Sequence, residues 1–175
     1  RAPRPAAIAI LLLFAAHTAT RNPEWRSNLT LFESAVTARP ASAKNQAQLG
    51  FALQAANRPD EALAAFERAL AIQPKFPDVL SNSGAILYER GDTARARAAW
   101  EKAIAGDPKN GPALANLATL EHAEGRFDEA LRLYRAAAAA RPRSELHRLQ
   151  VGGLLGEMGR SDEAAAEYRA ATEIA

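Results

Sequence analysis

Gln48, Asn82, Asn116 and Gln150 fall 34 residues apart, and each carries a side-chain amide. An amide donates and accepts hydrogen bonds at once, so a row of them suits the backbone of a bound polypeptide whatever its side chains. The alternative is that they are solvated polar residues, since exposed amides need no partner. By helical phase Tyr88 and His122 line the same groove and offer stacking and hydrogen bonding. These six residues are the candidate peptide-binding set. No catalytic residue is read from the chain. It has no glycine-rich phosphate loop after a strand and no nucleophile elbow. His17, His122 and His147 are too scattered for a metal-ligand spacing, so neither metal nor cofactor is expected. Asp128 and Glu129 read as helix caps rather than an acid–base pair.

A repeat holds the amides in register. Prolines stand at 40, 74, 108 and 142, again 34 apart. Small residues keep the step at Gly50, Gly84, Ala118 and Gly152, at Ala62, Ala96, Ala130 and Ala164, and at Ala69, Ala103, Ala137 and Ala171. Phe66, Trp100, Tyr134 and Tyr168 form an aromatic series, expected to fill the gap between neighbouring repeats. Asn57, Gly91, Gly125 and Gly159 are expected to end each first helix in the left-handed conformation. Asp60, Asp128 and Asp162 are candidate N-caps of the second helices, with Asp92 or Thr93 in that part in the second repeat. A helical period of 34 resembles the tetratricopeptide repeat, here over residues 43–175. The fold class is all-α, about four and a half repeats forming a right-handed superhelix of antiparallel helix pairs. Helices are expected near 44–56, 60–72, 78–90, 94–106, 112–124, 128–140, 145–157 and 162–174. Ser83 and Glu121 stand where other repeats carry apolar core residues, and looser packing is expected there.

The amide series is similar to the asparagine ladder in the repeats of nucleocytoplasmic O-GlcNAc transferase. The carboxylate clamp of chaperone-binding repeats needs Lys and Asn in the first groove helix, where this chain has Ala47 and Phe51. With 22 Lys and Arg against 20 Asp and Glu, the net charge of +2 is not that of a nucleic-acid binder. The absence of cysteine excludes a disulfide scaffold.

Residues 6–16 are continuously apolar. From Pro5 to Thr20 they make a sixteen-residue helix, roughly 24 Å long, whereas a bilayer core of about 30 Å takes about 20 residues. Three readings stand: a signal-peptide core behind Arg1 and Arg4, a helix buried against the repeats, or a transmembrane helix, the last of several. The third is preferred. Residues 24–38 then form an amphipathic helix through Trp25, Leu29, Phe32, Ala35 and Val36, a half-repeat covering the first full one. The chain opens on Arg1 and stops inside its last expected helix, so a piece of a longer protein is expected.

The apolar helix, Arg21-Asn22-x-x-Trp25, Leu31-Phe32, Pro40 and Lys44 before the repeats resemble the transmembrane and tetratricopeptide-repeat O-mannosyltransferases. The resemblance implies a lumenal or periplasmic repeat region at the end of a membrane enzyme. Such an enzyme moves mannose from a dolichyl-phosphate carrier to Ser or Thr of acceptor proteins, cadherins among them. The catalytic acids would lie in membrane portions absent here. The expected organisation is 1–20 membrane helix, 21–42 linking half-repeat, then repeats at 43–76, 77–110, 111–144 and 145–175. The expected partner is a polypeptide, with membrane attachment through 6–20. The competing reading is a secreted or membrane-anchored scaffold without enzymatic activity.

Overall fold

A computed structural model describes residues 28–174. The apolar run, His17 and residues 24–27 of the linking helix lie outside them. The described residues form nine helices and no strand. The chain divides into two compact units, one ending at Ile72 and one beginning at Gln73. The first unit holds α1 (Asn28–Ala38), α2 (Ala43–Ala55) and α3 (Pro59–Ile72). The second holds α4 (Pro77–Glu89), α5 (Thr93–Gly106), α6 (Gly111–Ala123), α7 (Phe127–Ala140), α8 (Glu145–Glu157) and α9 (Ser161–Thr172). Among the described residues no helix is long and apolar enough to cross a membrane.

The helix hairpins follow from turn chemistry. Asn57 (φ 57°), Gly91 (79°), Gly125 (78°) and Gly159 (75°) all adopt the left-handed conformation that ends a first helix. The next backbone N–H reaches back into that helix, as Asp92 N does to Leu87 O at 2.9 Å. The expected N-caps need correction. Asp60, Asp128 and Asp162 lie inside the first turns of α3, α7 and α9, where a carboxylate favours the positive helix end without capping it. Arg126 and Arg160 hold the cap positions of α7 and α9, and neither side chain caps the helix. Asp92 does cap α5, as one of the two residues expected there, and side-chain caps also open first helices at Ser42, Asn110 and Ser144.

The aromatic series packs within its own repeat, and Trp100 also reaches the cavity it shares with Asn116 and Thr119 of the next. Each ring sits between the two helices of its own repeat. A Cβ on Gly50 would lie 2.4 Å from the Phe66 ring, one on Gly84 2.5 Å from Trp100 Nε1, and one on Gly152 2.8 Å from Tyr168. The missing methyl lets helix and ring meet. Phe66 is fully buried, as are Ala62 and Ala69 on the same helix. Burying a Phe side chain contributes about 1.5–3 kcal/mol.

In the first unit Asn45 Nδ2 donates to Ala35 O at 3.0 Å and ties α2 to α1. Buried Gln46 donates to Pro40 O at 3.1 Å and accepts from Arg68 Nε at 3.1 Å. Phe51 meets Phe66 edge-on, ring centres 5.1 Å apart.

Ser83 and Glu121 do not loosen the core. Ser83 is buried and donates to Val79 O at 2.8 Å, within its own helix. Glu121 is 4% exposed and receives hydrogen bonds from Arg97 of α5 and Arg126 of the following turn. The same two arginines bind Glu124, Arg97 Nη2 at 2.5 Å. Burial pushes the Glu121 carboxyl up. The hydrogen bonds from Arg126 and Arg97 and their charges outweigh it and hold the pKa below the usual carboxylate value.

Candidate functional site

Gln48 belongs to the first unit and Asn82, Asn116 and Gln150 to the second. All four are half-buried on the first helix of their repeat. Their amides are not equivalent. Asn82 turns its Nδ2 onto Asp78 O at 2.8 Å, one turn back on its own helix. Gln150 shares its Oε1 with His147 Nδ1 at 3.1 Å. Gln48 and Asn116 make no side-chain hydrogen bond among the described residues. The series is therefore two committed amides and two open ones.

In the second unit Asn116 lines a cavity of about 120 Å³ between α4 and α6, together with Ala85, Tyr88, Glu89, Trp100 and Thr119. The Tyr88 ring packs at 5.7 Å on Trp100, inclined by 52°. Trp100 is 1% exposed and donates Nε1–H to Ser81 O at 3.1 Å, so it forms an apolar wall. Thr119 Oγ1 donates to Ala115 O at 3.0 Å and lies 2.9 Å from the Tyr134 hydroxyl. Burial raises the Tyr134 pKa; the bond with Thr119 lowers it, and Glu157 and Tyr88 raise it further. The phenol stays neutral, and because Thr119 gives its own proton to Ala115 O, the Tyr134 O–H donates to Thr119 Oγ1.

His122 bridges the next pair of first helices. Its Nε2 lies 2.7 Å from Glu157 of α8, and its ring meets Phe127 at 5.6 Å. The structure thus brings Tyr88 and Asn116 to one cavity and links His122 to α8. Glu89 and Thr119 were missed from sequence. Both were within reach: Glu89 follows Tyr88, and Thr119 stands one helical turn after Asn116. Larger hollows at the repeat junctions, one of about 580 Å³ holding Lys75 and Lys102, contain no member of the amide series. Among the described residues no three His, Asp or Glu side chains gather as a metal-ligand set.

Helix hairpins repeating every 34 residues, with left-handed turns and an aromatic seated on a small residue, define a helical-repeat binding protein. Two tetratricopeptide repeat models match, at residues 47–111 and 87–152. The chain is a tetratricopeptide repeat protein. No curated protein matches its sequence. Among solved structures, PilF of Pseudomonas aeruginosa aligns over 98% of this chain and 78% of its own, with TM-score 0.76 and 19% identity. MamA aligns over 82% and 84%, with TM-score 0.72 and 18% identity. YrrB, described as a tetratricopeptide repeat protein with an unusual peptide-binding site, aligns over 92% and 82%, with TM-score 0.66 and 19% identity. At these identities the likeness is one of fold. The O-mannosyltransferase resemblance finds no support in these matches.

Proposed function

We propose that this protein-interaction module binds an extended polypeptide segment on the second unit, along the first helices that carry Asn82, Asn116 and Gln150. The carrying observation is the open amide of Asn116 beside the Tyr88 ring in a side-chain-sized cavity. An amide that is half-buried and unpaired can bond a peptide N–H and C=O together. The peptide-binding description of the similar YrrB structure supports the same reading. The test is selection of binders from a random decapeptide display library on the full chain. Asn116→Ala is expected to weaken the selected peptides about tenfold, the equivalent of about 1.4 kcal/mol, with helical circular dichroism unchanged. Unchanged affinity sinks the reading.

The finer placement is a membrane-attached, extracytoplasmic repeat region that presents acceptor polypeptides to an O-mannosyltransferase-type enzyme. Its support is the apolar stretch 6–16 followed by Arg21-Asn22-x-x-Trp25. Carbonate extraction of membranes separates this from a scaffold held only by protein contacts: release of the chain into the soluble fraction removes the membrane attachment.

A further inference from the structure

We propose that the cavity between α4 and α6 is a specificity pocket for one cationic side chain, Lys or Arg, of the bound polypeptide. This rests on the peptide-binding reading above and names what that site selects. At about 120 Å³ the cavity is far smaller than a small-molecule site and suits a single side chain. Its walls divide by chemistry. Tyr88, Trp100 and Ala85 supply apolar surface for an alkyl stem. Glu89 stands at the same cavity as an exposed carboxylate with no ion pair among the described residues. Asn116 adds an open amide whose oxygen accepts from an ammonium or guanidinium.

Two other polar groups of the lining are already engaged. The Trp100 N–H is held by Ser81 O, and the Thr119 hydroxyl by Ala115 O and Tyr134. The neighbouring carboxylates are occupied too, Asp78 by Asn110 at 3.2 Å and Glu157 by His122. Glu89 is thus the carboxylate left for a ligand. No Lys or Arg lines the cavity, so an acidic side chain would meet Glu89 with no compensating charge. A cation there gains the face of Tyr88 as well as the carboxylate.

The experiment titrates the full, nitrogen-15-labelled chain with four probes: the N-acetyl methylamides of lysine, arginine, norleucine and glutamate. The Asn116 side-chain amide, the Trp100 indole N–H and the Glu89 backbone report. The lysine and arginine probes are expected to move these signals, with affinity at least about threefold above norleucine and no response to glutamate. Glu89→Gln, an exposed change, should leave the spectrum folded and erase the advantage of lysine over norleucine. Equal affinity for lysine and norleucine, or an advantage that survives Glu89→Gln, overturns the pocket. A selected decapeptide without Lys or Arg that shifts Asn82 and Asn116 while the cationic probes do nothing overturns the pocket alone. If neither the decapeptides nor the probes shift these residues, both proposals fall.

Discussion

Where the second repeat buries Leu87, the third buries Glu121 at the same step of the period. Leu87 is one more apolar side chain in a core with Trp100 and Gly84. Glu121 is a carboxylate held by Arg97 and Arg126, the first reaching across from α5. The third repeat also has Ala118 and Tyr134 where the second has Gly84 and Trp100. One backbone plan therefore accepts two kinds of interior. The period demands that the space be filled and its polar groups satisfied, but not that the filling be apolar.

Six substitutions break or sharpen that contrast. The largest effect belongs to Trp100→Ala, which empties the apolar seat of the second repeat and should cost about 3–5 kcal/mol in urea unfolding. A loss under 1 kcal/mol would mean that the ring is not central to that repeat. Gly84→Ala comes next, because the new methyl would lie 2.5 Å from Trp100 Nε1; overpacking of this kind costs about 1–3 kcal/mol. The mirror change, Ala118→Gly, should cost only about 1 kcal/mol of helix propensity, and thermal melts of the two variants compare them directly.

Glu121→Gln removes the charge that Arg97 and Arg126 share. Those arginines are 26% and 48% exposed, so they rehydrate, and the loss at neutral pH should be about 1–3 kcal/mol rather than the larger cost of stranding a buried partner. Because the folded carboxyl titrates below its usual value, its contribution is complete above the unfolded carboxylate range. It fades as the pH falls through the lowered folded value. The difference between native chain and variant should therefore shrink in acid; a constant difference from neutral pH down would refute the ionic account. The remaining changes are Gly91→Ala and Gly125→Ala. Both glycines have nearly equal positive φ and open space around the missing Cβ, so each should cost about 1–2 kcal/mol for backbone strain alone. Unequal values would show that the two turns differ beyond their geometry.

Much of the fold was legible because each clue was local and repeated. The left-handed turns at Asn57, Gly91, Gly125 and Gly159 follow from residue type alone. The eight expected repeat helices match the observed ones within two residues at each end. The caps were less legible, since an Asp beside a helix start serves equally as cap or as first-turn charge, and only the chain direction decides. The candidate site was half legible. Period and phase selected Gln48, Asn82, Asn116 and Gln150, but nothing in the sequence told that Asn82 bends back to Asp78 while Asn116 stays open.

The sequence by itself determined the helix hairpins, their turns and the small-residue seats, because these depend on φ preference and side-chain volume at positions that recur every 34 residues. Tertiary structure decided which ring fills which seat, that Glu121 is satisfied rather than disruptive, and that Glu89 and Thr119 join Tyr88 and Asn116 at one cavity. Those outcomes depend on atoms brought together from different helices, and rotamer choice and hydrogen-bond competition resolve only once the helices are packed.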